Sequence, residues 1–284
     1  MSNFSLYLKV IFSFVIFSFF GVVLNVSSFT ALQNIFLMGF LGSIWMLCVM
    51  AYKKQLSEFT RLSLGFPLLM FAIMSGLIPF FWLQSLTLIP VAQALFLLSS
   101  IPIVALLFEI LVFKQKAKAS RVVAIFIGIL GIAILLSGGL ATGGQFLSKG
   151  SIFVLIAVFF IVLQGFSIKK LGGSLSREII IFVTVAAPAL STFLFAFQKP
   201  WHIDAISIGG ALFLSIFPAI VAFYFYSEGL ARLHVSTVRL IGYIEVFLGT
   251  LWGVILLSQP LLPVTIVGGI LILLASYLAI KSGE

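Results

Sequence analysis

Glu245 has the clearest chemical reason to sit where it does. It stands about ten residues into the apolar run 235–257, which is long enough to cross a bilayer as a helix. An acidic side chain at that depth costs about 2.5–3.5 kcal/mol on insertion scales, so it must face protein or water. Gly249 and Gly253 follow at i+4 and i+8, a small-residue face suited to close packing or to a cavity wall. Two chemistries fit. The carboxylate is a site for a proton, a cation or the positive group of a bound ligand, or it is a structural group bonded to a neighbouring helix.

Other candidates are weaker one by one. Tyr243 and Trp82 offer aromatic faces that could stack on an aromatic or cationic ligand. Gln84, Gln93, Ser99, Ser100 and Gln164 are neutral polar groups in or near apolar runs, fit to hydrogen-bond a ligand or to link helices. Asn25 shares a stripe with Ser18 and Gly21. Glu109 lies near the end of its run, placed to snorkel or to pair with a basic loop. Glu228 precedes Arg232 by four residues, the spacing of a surface ion pair on a helix. Arg239 is expected to snorkel to the nearer membrane surface, with a place in a gate as the alternative. Cys48 is the only cysteine and His202 and His234 the only histidines, so no zinc-type cluster, disulfide or other cofactor site is expected.

The elements that must position these groups follow from composition. Of 284 residues, 62% are hydrophobic and 8% charged, against about 25% charged in a soluble domain. Lipid must solvate most of such a chain. Apolar runs fall near 8–26, 31–52, 64–85, 91–113, 120–138, 150–168, 179–198, 206–228, 235–257 and 263–281. They are continuously apolar, not alternating, so they predict ten transmembrane helices and an all-α integral membrane fold. Pro79, Pro102 and Pro218 fall inside the third, fourth and eighth runs and predict kinks. The first run lacks a small-x-small cleavage site and reads as a span, not a signal.

The net charge of +9 does not point to nucleic acid, because the basic residues lie in short loops. With the N terminus inside, Lys9, Lys53, Lys54, Arg61, Lys114, Lys116, Lys118, Arg121, Lys169, Lys170, Arg177, Arg232 and Lys281 fall inside, and only Lys149 and Lys199 outside. That bias predicts cytoplasmic termini in a bacterial-type inner membrane.

Shifted by 144 residues, the chain lies on itself: Gln84-Ser85-Leu86 on Glu228-Gly229-Leu230, Pro102 on Val246, Phe108 on Trp252, Gln115 on Gln259. Two five-helix units follow, 1–141 and 142–284. Five is odd, so the units must be inverted relative to each other. Inverted repeats suit a carrier whose halves rock about a site between them. No ATP-binding motif is present, so a gradient or exchange would drive it. A lipid-modifying enzyme would need acid, base or histidine residues clustered at one membrane face, and none is seen. A channel or helper subunit stays open as the alternative.

The stretch Ala92 to Leu135, AQALFLLSSIPIVALLFEILVFKQKAKASRVVAIFIGILGIAIL, and the stretch Ser236 to Ala279, STVRLIGYIEVFLGTLWGVILLSQPLLPVTIVGGILILLASYLA, both resemble the carboxyl-terminal part of an EamA repeat, the unit of the drug/metabolite transporter superfamily. Gly242-Tyr243-Ile244-Glu245 resembles the tyrosine-x-glutamate step of a subset of that superfamily. Gln115 and Gln259 stand where the family has glutamate, and Val246 where it has proline. The resemblance implies a ten-helix secondary transporter, an exporter or exchanger of a small metabolite such as an amino acid or cationic metabolite, working by alternating access. It leaves the cargo open. Glycine-rich helices five and ten are suited to pack within the chain or across a homodimer.

Overall fold

A computed structural model describes residues 3–57, 65–89, 91–116, 118–137, 148–258 and 262–283. The expected unit boundary at 141/142, Arg61 and Gln259 lie outside the described residues. All regular structure among them is helical.

Nine helical stretches are long and apolar enough to cross a membrane among the described residues, and the 17-residue helix Ala119–Leu135 makes the tenth span. Four spans are interrupted. The first consists of α1 (Asn3–Phe17) and α2 (Phe20–Val26), the second of α3 (Ala31–Tyr52) and the third of α4 (Phe66–Leu86). The fourth is α5 (Val91–Leu98) plus α6 (Ile101–Leu111), and the fifth is α7 (Ala119–Leu135). The sixth and seventh are α8 (Lys149–Leu171) and α9 (Arg177–Ala196). The eighth runs α10 (Ala205–Ile216), a π-helical turn (Phe217–Ala222) and α11 (Phe223–Arg232). The ninth is α12 (Val235–Ile241) plus α13 (Tyr243–Leu257), and the tenth is α14 (Pro263–Gly283).

Local chemistry sets the ends. Thr30 opens α3 with a reciprocal capping box: its hydroxyl accepts from the Gln33 amide and the Gln33 side chain accepts from the Thr30 amide. Asp204 caps α10 through Ser207. Pro102 sits in the first turn of α6, where a missing N–H costs nothing, so it starts a new helix after a break at Ser99 and Ser100. Pro218 removes a donor from the eighth span, which answers by widening into a π-turn. Pro79 is carried within a continuous α4.

The heaviest packing joins one half of the chain to the other: fifth span on tenth, second on seventh, third on sixth and seventh, eighth on first and second, fourth on ninth. The core is therefore the interface between two five-helix repeats. Along α7 and α14 the backbones nearly touch. A Cβ on Gly131 would meet the Gly268 carbonyl oxygen at 2.9 Å, and one on Gly268 would meet the Gly131 oxygen at 2.6 Å. This seam packs the glycine faces against each other within one chain, one of the two packings that the sequence allowed.

Candidate functional site

The breaks in the fourth and ninth spans fall at matching places in the two repeats. Gly242 closes α12 and opens α13, and α5 gives way to α6 after Leu98, its counterpart 144 residues earlier. Helix ends thus meet in the middle of the bundle. Gly242 is required there, since a Cβ would lie 2.8 Å from the Phe14 ring. Gly128 of α7 gives the same room to the Tyr243 ring.

Beside these breaks lies a cavity of about 530 Å³ between the halves. Its walls come from the first, third, fourth, fifth and ninth spans, in the membrane half remote from the termini. Phe14, Phe17, Trp82, Leu95 and Leu98 make it largely apolar, and Ser18, Ser99, Arg239, Tyr243, Glu245 and Thr250 bring polar groups. Most of those polar groups are already engaged. The Tyr243 hydroxyl donates to the Ser99 carbonyl oxygen. The Ser18 hydroxyl donates to Val15 and accepts from the Trp252 indole at 2.8 Å. Thr250 donates to Val246.

The two charged groups differ from the rest. Among the described residues the Glu245 carboxylate has no hydrogen bond and no ion pair. The Arg239 guanidinium lies over the Tyr226 ring, 4.9 Å from its centroid, and one Nη donates to the Ile161 carbonyl at 3.3 Å. Its Nε is buried without a partner. The two are six positions apart, an angle of about 120° on an unbroken helix. The break at Gly242 falls between them, and both line one cavity without pairing to each other.

Of the residues singled out from sequence, Glu245, Tyr243, Trp82 and Ser99 line the cavity, as do Ser18 and Gly21. Gln84 is exposed near the end of α4. Gln93 is buried and donates to Ser151 of α8 at 3.3 Å. Gln164 donates to Ser75 of α4 at 2.9 Å. These two glutamines join helices away from the cavity, and Asn25 is exposed. Arg239 does not snorkel: Tyr226 and the Ile161 carbonyl hold it inward, because a guanidinium finds a ring face and a carbonyl nearer than water. The phenylalanines of the first span were indistinguishable by pattern from lipid-facing ones. The repeat offset was the available signal for the Ser99–Tyr243 pair.

On the side of the termini Glu109, Glu178 and Glu228 are buried. Glu109 does not snorkel. Its carboxylate takes Arg121 Nη1 at 3.0 Å, the Ser236 hydroxyl at 2.7 Å and the Ser236 amide at 3.1 Å. Glu228 is not a surface partner of Arg232 alone, for it is 5% exposed and also binds Lys9 at 3.1 Å and Arg177 at 3.5 Å. Glu178 pairs with Lys53. These clusters tie spans of opposite halves together.

The EamA-like transporter family matches the sequence twice, over residues 4–137 and 148–281. No curated protein matches it. One solved crystal structure superposes with a TM-score of 0.80 at 20% identity, over 97% of this chain and 98% of that one. At that identity the likeness is one of fold.

Proposed function

Because the chain belongs to the EamA-like transporter family, a membrane transporter family for small molecules, we propose that it is a secondary transporter, an exporter or exchanger of amino acids, working by alternating access. The observation that carries the mechanism is an asymmetry between matched positions. Leu24, Trp82 and Leu86 line the cavity. Their counterparts 144 residues on, Ile168, Tyr226 and Leu230, are 1%, 2% and 0% exposed. Two similar inverted halves thus hold the same face in two states. If the halves exchange conformations, the Ile168–Tyr226–Leu230 face opens to the termini side and the present cavity closes.

The charges support the substrate class. Glu245 matches an ammonium and Arg239 a carboxylate, and the aromatic walls suit an apolar side chain between them. The basic loops support cytoplasmic termini in a bacterial inner membrane, with the cavity then facing outward.

Counterflow in proteoliposomes tests both parts. Labelled amino acids and amines lacking a carboxylate are offered with and without a pH gradient. Glu245→Gln should slow both classes. Arg239→Gln should cut amino-acid counterflow about 10- to 100-fold and spare the amines, the cost of one charge-assisted hydrogen bond. Loss of both classes in Arg239→Gln would overturn the zwitterion reading. No counterflow of any class from folded protein would overturn alternating access.

A further inference from the structure

A second groove lies on the side of the termini. The third and fourth spans both pack on α8 but scarcely touch each other there. Between them Met74, Phe113, Leu163 and Phe166 line an apolar groove of about 440 Å³ that shares no residue with the cavity above. Lys169 and Lys170 stand at its membrane-surface end. From Lys170 to Leu163 is about 10 Å of helix, so the groove reaches from the surface well into the hydrocarbon.

We propose that this groove binds an anionic phospholipid, with the phosphate at Lys169 and Lys170 and an acyl chain against Phe113, Phe166 and Leu163. Charge complementarity names the occupant. Lys169 gives one donor to the Leu233 carbonyl at 2.8 Å and keeps two. Lys170 is exposed and has no ion pair among the described residues. Phe113 and Gln115 belong to the loop that carries the exposed Lys114 and Lys116, which add positive charge at the rim. Glu109 also touches the groove, but Arg121 matches its charge. A basic rim over an apolar slot between helices is the arrangement that holds an acidic headgroup and its tail together. A free phosphate would use the lysines and leave the slot empty.

Binding is read by native mass spectrometry and by thermal shift on the full chain in detergent, with phosphatidylglycerol, phosphatidylcholine or inorganic phosphate added. Phosphatidylglycerol should bind more tightly than phosphatidylcholine and raise the unfolding temperature, and phosphate alone should do neither. Lys170→Gln should weaken it about fivefold, and Lys169→Gln with Lys170→Gln about 25-fold, at ~1 kcal/mol per lysine. Lys199→Gln, on the far side, should change nothing. Equal binding of the two lipids, a phosphate effect equal to the lipid's, or an equal loss in Lys199→Gln would each overturn the proposal. The exposed Lys170 keeps the test valid if the double variant misfolds.

Discussion

The Tyr243 hydroxyl donates to the main-chain oxygen of Ser99, and the two residues stand 144 positions apart, the same offset that separates the two family matches. Each is thus the other's counterpart, and they meet where the broken fourth and ninth spans cross. The bond is not symmetric, because only one repeat carries a hydroxyl on a ring. It joins two equivalent breaks through unlike groups.

Tyr243→Phe should leave the fold intact and lower its stability by about 1–3 kcal/mol, since a buried carbonyl at a helix break loses its donor. Thermal unfolding in detergent reads this directly. An unchanged midpoint would mean that the hydroxyl contributes nothing at the crossing.

The α7–α14 seam should be intolerant of even one methyl. In Gly131→Ala the new Cβ lies 2.9 Å from the Gly268 oxygen and 3.1 Å from the Ile272 nitrogen, both backbone atoms that move only if the helices part. A loss of about 1–3 kcal/mol is expected. Gly209→Ala is the control, with nothing within 4 Å of its Cβ, and should be neutral or stabilising. Similar unfolding temperatures for the two variants would remove the close seam as the reason for Gly131.

The spans, their inversion and the depth of Glu245 were legible because each leaves a one-dimensional mark: a run of apolar residues, an offset, a lone carboxylate in such a run. Pro102 marked the break in the fourth span. Nothing marked the break at Gly242, since glycine is common in membrane helices and Val246 stands where the first repeat has Pro102. Glu109 and Glu228 do make the expected pairs, with Arg121 beside the basic loop and with Arg232, but their burial and their other partners were missed for one shared reason. Ser236, Lys9 and Arg177 are distant in sequence, and a local reading finds only the loop or the residue four places on. Arg239 was misplaced likewise, because Tyr226 and Ile161 meet it only in the fold.

Acid should act on the cap of α10. The Ser207 amide and hydroxyl donate to the Asp204 carboxylate at 2.9 and 2.7 Å and pull its pKa down to about 2. Asp is near 3.9 in an unfolded chain. The folded value is depressed, so this stability is present above about pH 4 and is lost as pH falls through about 2. Asp204→Asn keeps an acceptor for the Ser207 amide and has no charge to lose. Its unfolding temperature should fall less between pH 4 and 2 than that of the unaltered chain. Parallel curves would assign the acid sensitivity elsewhere.

Glu109 and Arg121 form an ion pair with both side chains 3% exposed, 3.0 Å apart. Taking two charges from water is costly, and here the Ser236 hydroxyl and amide share the cost with Arg121. Glu109→Gln leaves a buried guanidinium without a counter-charge, and should cost about 3–5 kcal/mol. Arg121→Met leaves the carboxylate its two Ser236 donors, so its cost should be smaller. Removing both charges, Glu109→Leu with Arg121→Met, should recover most of the loss, and a double-mutant cycle on unfolding free energies measures the coupling. The double variant still lacks the bonds from Ser236 that tie α12 to α6 across the two halves. It should therefore expose the Ile168–Tyr226–Leu230 face more often, seen as faster labelling of a cysteine placed at Ile168 in a Cys48→Ser background. Restored stability with unchanged labelling would make the cluster a packing device with no part in closing that side.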